Sequence, residues 1–330
     1  MSKKITIFGG AGFIGHNLAI DLKKKGFKCQ VIDNLKVNNL KSKKHNKKKN
    51  VKLFNKILLE RFRLLKKNNI KIEIIDLRNL EKFKKKIINF KPEILIHLAA
   101  VSHASISNKD PKYTFDHSLN TLINSLEISR LLKSHIIYFS SSMVYGNFNG
   151  KKMRENSQCN PIGIYGNLKL AGEMMVKSYS QVFKFPYTIV RPSALYGERC
   201  VSRRVSQMFI ENALEGKHIV INGNGSEKLD FTYINDLIQG VQKIIRTKKS
   251  HYETFNITFG SGRKIIDLVK LLKLNFPELK IKFIPWDKLI PKRGSLCIMK
   301  ARKLLKYKPE FKIENGYRKY INWYRNFYSN

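Results

Sequence analysis

Short apolar runs alternate with longer segments of helical periodicity along the first half of the chain. Runs that are rich in isoleucine and valine and end at polar residues or glycine are typical of buried strands. The predicted strands are KITIFG at Lys3–Gly9, KCQVID at Lys28–Asp33, KIEIID at Lys71–Asp76, EILIHLAA at Glu93–Ala100, HIIYFSS at His135–Ser141 and YTIVRP at Tyr187–Pro192. Strands that alternate with helices indicate a parallel sheet covered on both faces, so the pattern predicts an α/β fold with a Rossmann-type doubly wound sheet.

The alternation loosens beyond Pro192, where short apolar segments mix with helical patterns. We expect residues 1–192 to form the Rossmann domain and residues 193–330 to form mainly a smaller substrate-binding lobe. Part of the second segment is expected to return to the Rossmann domain. The helices predicted in this part lie at Val205–Glu215, Ile234–Arg246 and Ile265–Leu274, with two amphipathic helices in the tail Ala301–Tyr328.

A lysine-rich insertion at about residues 36–70 separates the second and third predicted strands. Its first part contains the cluster LKSKKHNKKKN at Leu40–Asn50. Its second part, VKLFNKILLERFRLLKKNN, places leucines and isoleucines near helical spacing. A long structureless loop inside a compact domain is uncommon, so we expect this second part to form a surface helix.

The net charge of +40 raises the question of a polyanionic partner such as nucleic acid. The lysines are spread along the whole chain, and the cluster Leu40–Asn50 has no interleaved aromatic residues on which bases could stack. We therefore expect this cluster to be a solvated loop and nucleic acid not to be the main partner. A basic surface would still attract a doubly charged diphosphate substrate.

The cysteines and the hydropathy indicate the compartment. Cys29, Cys159, Cys200 and Cys297 are scattered and have no metal-ligand spacing, which favours free thiols and predicts no metal site. No apolar run approaches the roughly 18 to 20 residues that a membrane span needs, and the N-terminus has no apolar targeting segment. We expect a soluble, unprocessed cytoplasmic protein without a membrane partner.

The motif GGAGFIG follows the first predicted strand directly and opens a predicted helix. Gly9 permits a tight turn, Gly12 lets the backbone approach a pyrophosphate, and Gly15 lets the helix pack closely on the strand. Phosphates would then meet free N–H groups at the positive end of the helix. Asp33 closes the second strand, where a carboxylate accepts from a ribose 2′-hydroxyl and repels a 2′-phosphate, so NAD is favoured over NADP.

Tyr165 and Lys169 lie four residues apart on a predicted helix and therefore share one face. A nearby ammonium favours the ionised form of a phenol and makes it a usable general base. The pair follows the predicted strand that ends in three serines, in YFSSSMVYGN at Tyr138–Asn147. Ligands in open parallel sheets bind at the carboxyl ends of strands, so this placement predicts an active site.

Together these motifs resemble an extended short-chain dehydrogenase/reductase of the NAD-dependent nucleotide-sugar epimerase/dehydratase family, similar to UDP-glucose 4-epimerases. The resemblance covers nearly the whole chain and implies a nucleotide-diphosphate sugar as substrate. The segments that carry it are GGAGFIG, Asp76–Leu77, HLAA at His97–Ala100, SSSMVYG, YGNLK, RPSALYG at Arg191–Gly197 and LDFTYINDLIQG at Leu229–Gly240.

The resemblance assigns roles to individual residues. Tyr165 would take the proton of the sugar hydroxyl as a hydride passes to NAD, and Lys169 would support the phenolate and hold the nicotinamide ribose. Ser141 would hydrogen-bond the reacting oxygen, with Ser142 as a helper. The implied cofactor residues are Gly9, Gly12, Phe13, Ile14, Gly15, Asp33, Asn34, Asp76, Leu77, Leu98, Ala99, Ala100, Tyr165, Lys169 and Pro192.

Met143 directly follows these serines and limits the kinds of reaction that the site can catalyse. Dehydratases that resemble this chain carry acidic residues near this position, because elimination of water needs a second acid and base. Ser142 and Met143 cannot do that proton chemistry. The leading hypothesis is therefore a nucleotide-sugar epimerase, most simply a 4-epimerase, that acts in surface-polysaccharide precursor synthesis by transient oxidation and hydride return. A nucleotide-sugar 4-ketoreductase and a catalytically idle NAD-binding scaffold or sensor stay open.

The substrate-binding positions depart from the pattern of UDP-sugar epimerases. Ala194 and Leu229 replace an asparagine and an arginine of the family, so the nucleotide, the sugar and the inverted carbon stay open. Arginines elsewhere can bind a diphosphate in their place. The predicted substrate residues are Ser102, His103, Arg199, Arg203, Arg204 and Arg293.

The resemblance also implies a homodimer. Related proteins pair two long helices of each subunit into a four-helix bundle. The corresponding helices here would be Tyr113–Leu132 and Ile162–Phe183.

Overall fold

The structure is a computed structural model and describes residues 2–36 and 51–329. The lysine cluster at Leu40–Asn50 and the first part of the predicted insertion therefore lie outside the described residues. The strands are β1 (Lys4–Phe8), β2 (Lys28–Asp33), β3 (Ile72–Ile74), β4 (Ile94–His97), β5 (His135–Phe139), β6 (Tyr187–Arg191), β7 (Leu195–Tyr196), β8 (Ile219–Asn222), β9 (Lys228–Leu229), β10 (Thr232–Tyr233), β11 (Glu253–Asn256), β12 (Arg263–Lys264) and β13 (Ile281–Ile284).

Helices occupy most of the remaining described chain. A π-helical turn at Asp116–Asn120 precedes one of them, and short 3-10 turns lie at Ser142–Tyr145 and Lys248–Ser250. The α-helices are α1 (Phe13–Lys24), α2 (Val51–Lys67), α3 (Leu80–Phe90), α4 (Ala104–Lys109), α5 (Pro111–Phe115), α6 (Thr121–Leu132), α7 (Gly163–Phe183), α8 (Val205–Leu214), α9 (Ile234–Arg246), α10 (Ile265–Lys273), α11 (Met299–Leu305) and α12 (Ile313–Ser329).

The central sheet has seven strands in the order β11, β6, β5, β4, β1, β2, β3. All its neighbouring strands pair in parallel. The chain runs outward from β1 to β3 on one side and from β4 to β6 on the other, so the order reverses between β1 and β4. This is the doubly wound arrangement, in which ligands bind beyond the carboxyl ends of the strands at the reversal. The predicted fold class is confirmed.

Each strand predicted in the first half is present. β2 has the predicted bounds, and the other five strands are shorter than predicted, the third and fourth most of all. The strand predicted at Lys71–Asp76 is limited to β3, and the one predicted at Glu93–Ala100 ends at His97. The residues after His97 leave the sheet at its carboxyl edge, where they become available to a ligand. The helix predicted in the second part of the insertion is α2.

The second half of the chain contributes both to the central sheet and to a separate group of strands and helices. β11 is an edge strand of the central sheet, and α9 packs against α1. β8 and β13 form a separate parallel pair beside α8 and α10. The division of the chain at residue 192 stays a prediction.

Alternate residues of the central strands bury different faces of the sheet. Ile5 and Ile7 of β1 belong to one hydrophobic core, while Phe8 belongs to the core on the opposite face with Leu122 and Leu126 of α6. The period of two in a strand and the apolar stripe of a helix account for this sandwich of layers. In the parts of the chain that the structure describes, no helix is long and apolar enough to cross a membrane, and no cluster of metal-ligating side chains is found.

A buried ion pair fixes α7 against the central sheet. Arg191 at the end of β6 donates from Nε to Glu173 Oε1 at 2.9 Å and from Nη2 to Glu173 Oε2 at 2.6 Å. The same carboxylate accepts from the hydroxyl of Ser140, which follows β5, and Arg191 Nη1 donates to the Tyr145 hydroxyl at 2.9 Å. The bidentate pair therefore joins the helix that carries Tyr165 and Lys169 to the strand ends beneath it.

We predict that Glu173→Gln lowers the free energy of unfolding by about 3–5 kcal/mol, because it leaves the Arg191 guanidinium buried without a counter-charge. The measurement is urea-induced unfolding followed by circular dichroism. Glu127→Gln is the matched control, because Glu127 pairs with Arg130 at 2.7 Å on a partly exposed surface. This control should lose less than about 1 kcal/mol. Equal losses in the two variants would contradict the prediction.

Candidate functional site

The glycine motif forms a tight loop between β1 and α1. Gly9 has a φ of +75°, which disfavours side chains, and a Cβ there would lie 2.8 Å from the backbone nitrogen of Ala99. A Cβ on Gly15 would lie 2.4 Å from the Cα atom of Gly10. The backbone can therefore pass this close only because these positions lack side chains. α1 begins at Phe13, so its first N–H groups face the space above the loop.

This space is a cleft of about 940 Å³. The residues around it come from the glycine loop, the end of β2 and the chain after β4, which meet at the reversal point of the sheet. The predicted cofactor residues that line it are Gly9, Gly12, Phe13, Ile14, Gly15, Asp33, Asn34, Leu77, Leu98, Ala99 and Ala100.

Asp33 lies at the end of β2 with its carboxylate held by the backbone. Oδ2 accepts from the Ala11 N–H at 3.0 Å, and Oδ1 accepts from the Leu35 N–H at 2.8 Å. Burial raises the pKa of Asp33, and these two hydrogen bonds oppose the rise. A carboxylate at the wall of the cleft suits a ribose hydroxyl donor, and the glycine loop suits a pyrophosphate. The residues present therefore fit a dinucleotide.

Some predicted cofactor residues lie outside the lining of this cleft. Burial acts to raise the pKa of Asp76, but hydrogen bonds from Arg78 lower it below its usual value. One of them runs from Arg78 Nη2 to Asp76 at 2.8 Å. The carbonyl of Pro192 accepts from the Ser142 N–H at 2.9 Å. Roles for Asp76 and Pro192 in cofactor binding stay predictions.

Tyr165 and Lys169 lie on the face of α7 that meets β5. Lys169 Nζ donates to the Phe139 carbonyl at 2.7 Å and lies 6.0 Å from the centroid of the Tyr165 ring. Burial lowers the pKa of Lys169 to about 8, and the nearby Glu173 carboxylate opposes this change. With a pKa of about 8, the Lys169 side chain is mostly protonated at pH 7. Its positive charge therefore lies beside the Tyr165 ring.

The serines after β5 have different hydrogen-bond partners. Ser140 donates to Glu173, and Ser141 Oγ accepts from the Met143 N–H at 3.2 Å to cap the short 3-10 turn. Ser142 Oγ is buried and has no partner among the described residues. The Ser142 hydroxyl is therefore available to hydrogen-bond a ligand. The role of Ser141 at the reacting oxygen stays a prediction.

A second cleft, of about 1460 Å³, opens beside Tyr165. Its walls combine apolar side chains of both halves of the chain with a few polar groups. Ala194 and Leu229 line it, as expected for positions where related enzymes contact substrate. Its polar or sulfur-containing lining residues include Ser102, His103, Met143, Tyr165, Arg204 and Arg293.

Arg204 and Arg293 bring positive charge into this second cleft. Arg204 Nη2 donates to the Ser102 carbonyl at 3.1 Å. Arg293 Nε is buried and lacks a hydrogen-bond partner in the described chain. Burial lowers the pKa of Arg293 to about 10, and the charge of Arg204 adds to this effect. An anionic group of a ligand would satisfy both guanidinium groups.

The other predicted substrate residues have different surroundings. His103 lies in the second cleft, where burial and then the charges of Arg204 and Arg203 lower its pKa and favour the neutral imidazole. Arg199 donates to His16 Nε2 and Asn17 Oδ1, both at 3.1 Å, and thus contacts α1 on the side of the first cleft. Arg203 is exposed and lines neither cleft. The geometry therefore favours Arg204 and Arg293 over Arg199 and Arg203 as substrate residues.

Six residues that line the first cleft were not predicted as site residues from the sequence: Arg61, His117, Thr121, Leu195, Val201 and Ser202. Arg61 belongs to α2, where its neighbours one turn away, Ile57 and Leu65, are buried. A charged residue on the apolar face of an amphipathic helix is the signal that could have identified it.

Comparisons with known proteins agree with this geometry. The model of the NAD dependent epimerase/dehydratase family matches residues 5–258. A UDP-glucuronate 4-epimerase of Thermodesulfobacterium geofontis is 27% identical, with 96% of this chain and 94% of that protein covered. The human dTDP-D-glucose 4,6-dehydratase is 25% identical, with 100% of this chain and 92% of that protein covered.

A solved structure is similar over the whole chain. The UDP-glucuronic acid 4-epimerase of Bacillus cereus, crystallised with UDP-glucuronic acid and NAD, superposes with a TM-score of 0.87 at 26% identity. The similarity covers 98% of this chain and 100% of that one. The predicted cofactor, NAD, is thereby confirmed. The chain belongs to the NAD-dependent epimerase/dehydratase family.

Proposed function

We propose that the protein is an NAD-dependent nucleotide-sugar epimerase, most simply a 4-epimerase, that acts in surface-polysaccharide precursor synthesis. The observation that carries this proposal is Met143, which lines the second cleft together with Tyr165. A thioether neither donates nor accepts a proton in catalysis. Met143, which directly follows the three serines, therefore cannot assist elimination of water. Inversion of a stereocentre needs no second acid and base of that kind.

The residues of this chain would divide the work of such a reaction. Tyr165 would accept the proton of a sugar hydroxyl and later return it, and the charge of Lys169 would stabilise its phenolate. Ser141 and Ser142 would orient the reacting oxygen by hydrogen bonds. When bound, NAD supplies the hydride acceptor and donor that transient oxidation of the sugar requires.

The second cleft suits a nucleotide-diphosphate sugar. Arg204 and Arg293 provide forked donors for diphosphate oxygens, and Ser102 and His103 offer hydrogen-bonding groups for sugar hydroxyls. The apolar side chains of Phe231 and the neighbouring wall suit a base. Relatives named for UDP-glucuronate support UDP-sugars, including uronic acids, as the first substrates to test.

A homodimer would bury the exposed apolar residues of α6 and α7. Met174 and Val182 on α7 are 63% and 66% exposed, and Leu131 on α6 is 45% exposed. These are the helices for which the resemblance implies a four-helix bundle between subunits. A second copy of the chain is therefore the proposed partner of this surface.

The first test is proton NMR of the purified protein with UDP-, dTDP-, GDP- and CDP-sugars and only a trace of NAD. We expect a new stereoisomer to appear without net turnover of the cofactor, because an epimerase regenerates it in every cycle. Tyr165→Phe should abolish conversion while the protein still binds NAD, since only the proton acceptor is removed.

Other outcomes would replace the proposal. Conversion of a 4-keto sugar only with stoichiometric NADH or NADPH would establish a ketoreductase. Loss of the 6-hydroxyl from the substrate would establish a dehydratase. Tyr165→Phe with an unchanged cellular phenotype, together with no conversion by the wild type, would establish a scaffold or sensor.

Arg293→Met should raise KM for the nucleotide sugar about 10- to 100-fold with a small effect on kcat, because a charge-assisted contact to phosphate contributes about 1.5–3 kcal/mol to binding. Steady-state kinetics measures both constants. Arg302→Met is the matched control, because Arg302 is exposed on α11. A fall in kcat at unchanged KM would contradict a role for Arg293 in binding the diphosphate.

Met174→Glu should convert a dimer into a monomer in sedimentation velocity experiments, because it would place like charges at the centre of the proposed bundle. Met299→Glu is the matched control, since Met299 on α11 is 62% exposed. A wild-type monomer, or dissociation by the control variant as well, would contradict the proposed interface.

A further inference from the structure

Arg61 is an arginine in the interior of the protein, contributed by the insertion helix α2. Its side chain is only 1% exposed. Nε donates to the Arg199 carbonyl at 3.0 Å, Nη2 donates to the same oxygen, and Nη1 is 3.5 Å from the Ala11 carbonyl. Arg61 therefore bridges the glycine loop and the chain that follows β7.

The contacts of Arg61 continue through Arg199 back to the glycine loop. The Arg199 side chain donates from Nε to His16 Nε2 at 3.1 Å, and the other ring nitrogen of His16 is 2.8 Å from the Gly12 carbonyl. Burial, followed by the charges of Arg61 and Arg199, holds the pKa of His16 well below its usual value. His16 is thus neutral and connects Arg199 to the Gly12 carbonyl, while Arg61 lies next to the Ala11 carbonyl.

Among the described residues, neither of these arginines has a carboxylate at contact distance, although Asp33 acts on Arg61 and Glu198 and Glu60 act on Arg199 from farther away. Their side-chain hydrogen bonds go to carbonyl oxygens, a ring nitrogen and an amide oxygen, and neither arginine forms an ion pair with a carboxylate in residues 2–36 and 51–329. Burial lowers the pKa of Arg61 to about 10. Arg61 is buried and Arg199 is partly buried, and neither has a paired carboxylate in the part of the chain that the structure describes, so an anionic ligand beside them would offset the cost of removing these charges from water.

The position of Arg61 identifies that anion. Its side chain lines the first cleft together with Gly12, Phe13 and Asp33. The N-terminus of α1 faces the same cleft, and the free N–H groups and the helix dipole there favour a phosphate group. NAD carries two negative charges on its pyrophosphate and is the cofactor of this family. The guanidinium groups and the pyrophosphate are therefore complementary in charge.

We propose that Arg61 is a cofactor-retention residue, which supplies positive charge for the pyrophosphate of NAD and, through Arg199 and His16, fixes the glycine loop in its binding conformation. The insertion helix α2 is thereby part of the cofactor site. This inference rests on NAD binding and not on the proposed epimerase reaction, so the two can fail separately.

The test measures retention of NAD by the purified holoenzyme. Wild type and variants are diluted into NAD-free buffer, and the remaining bound nucleotide is determined with time by filtration and chromatography. We expect Arg61→Met to lose NAD at least 10-fold faster than wild type, and Arg61→Lys to show an intermediate rate because it keeps the charge but not the bridging fork. Arg63→Met is the matched control on the same helix, since Arg63 is exposed and pairs with Glu60.

A purely structural role for Arg61 predicts a different pattern of ligands. Binding of ADP-ribose and of adenosine to the cofactor-free protein separates the two cases, because adenosine lacks the pyrophosphate. The proposal requires Arg61→Met to weaken ADP-ribose at least 10-fold and adenosine by less than about 3-fold. Equal weakening of both ligands, or NAD loss at the wild-type rate in Arg61→Met, would overturn it. If Arg61→Met does not fold, the same comparison between Arg61→Lys and Arg63→Lys decides the question.

Discussion

The bidentate pair between Arg191 and Glu173 is the interaction on which the geometry of the active site depends. It joins α7 to the ends of β5 and β6, and its members also contact Ser140 and Tyr145. Tyr145 in turn donates to Asn256 Oδ1 at 2.8 Å, which adds β11 to the same connection. Tyr165 and Lys169 lie on α7 one to two turns before Glu173, so any shift of this helix would displace them from the strand ends. A bidentate pair resists sliding better than a single contact, because two hydrogen bonds fix both distance and orientation.

The positive charges that bear on structure or function differ from the many others in this chain in being buried or partly buried. Most lysines in the part of the chain that the structure describes are exposed to water, so the net charge of +40 says little about function by itself. Arg61 and Arg191 are buried and Arg199 and Arg293 are partly buried, so partners must offset the cost of removing these guanidinium groups from water. Arg191 has its partner in the protein, whereas Arg61 and Arg293 face clefts. The same residue type thus forms an ion pair within the fold in one place and lines a cleft in the others.

The sequence predicted those parts of the site that are local in the chain. GGAGFIG, Asp33 and the Tyr165–Lys169 spacing each combine a motif with one neighbouring element, so periodicity and turn chemistry were sufficient to place them. Arg61 and Arg199 depend on how the insertion helix packs on the glycine loop, with partners 50 and 183 positions away along the chain. No local pattern specifies such a contact. Arg199 likewise contacts His16 and Asn17 of α1 in the structure, and its predicted role at the substrate stays a prediction.

The two clefts meet at residues that they share. Ser102, Leu195 and Arg204 line both clefts, so a cofactor in the first and a sugar in the second would approach each other there. Tyr165 and Met143 line the second cleft, and of these two side chains only Tyr165 can exchange a proton. Transient oxidation at one carbon needs only the first of them. A dehydratase built on the same scaffold would need a proton-transferring group where Met143 stands, which is why the chemistry can differ between relatives of the same fold.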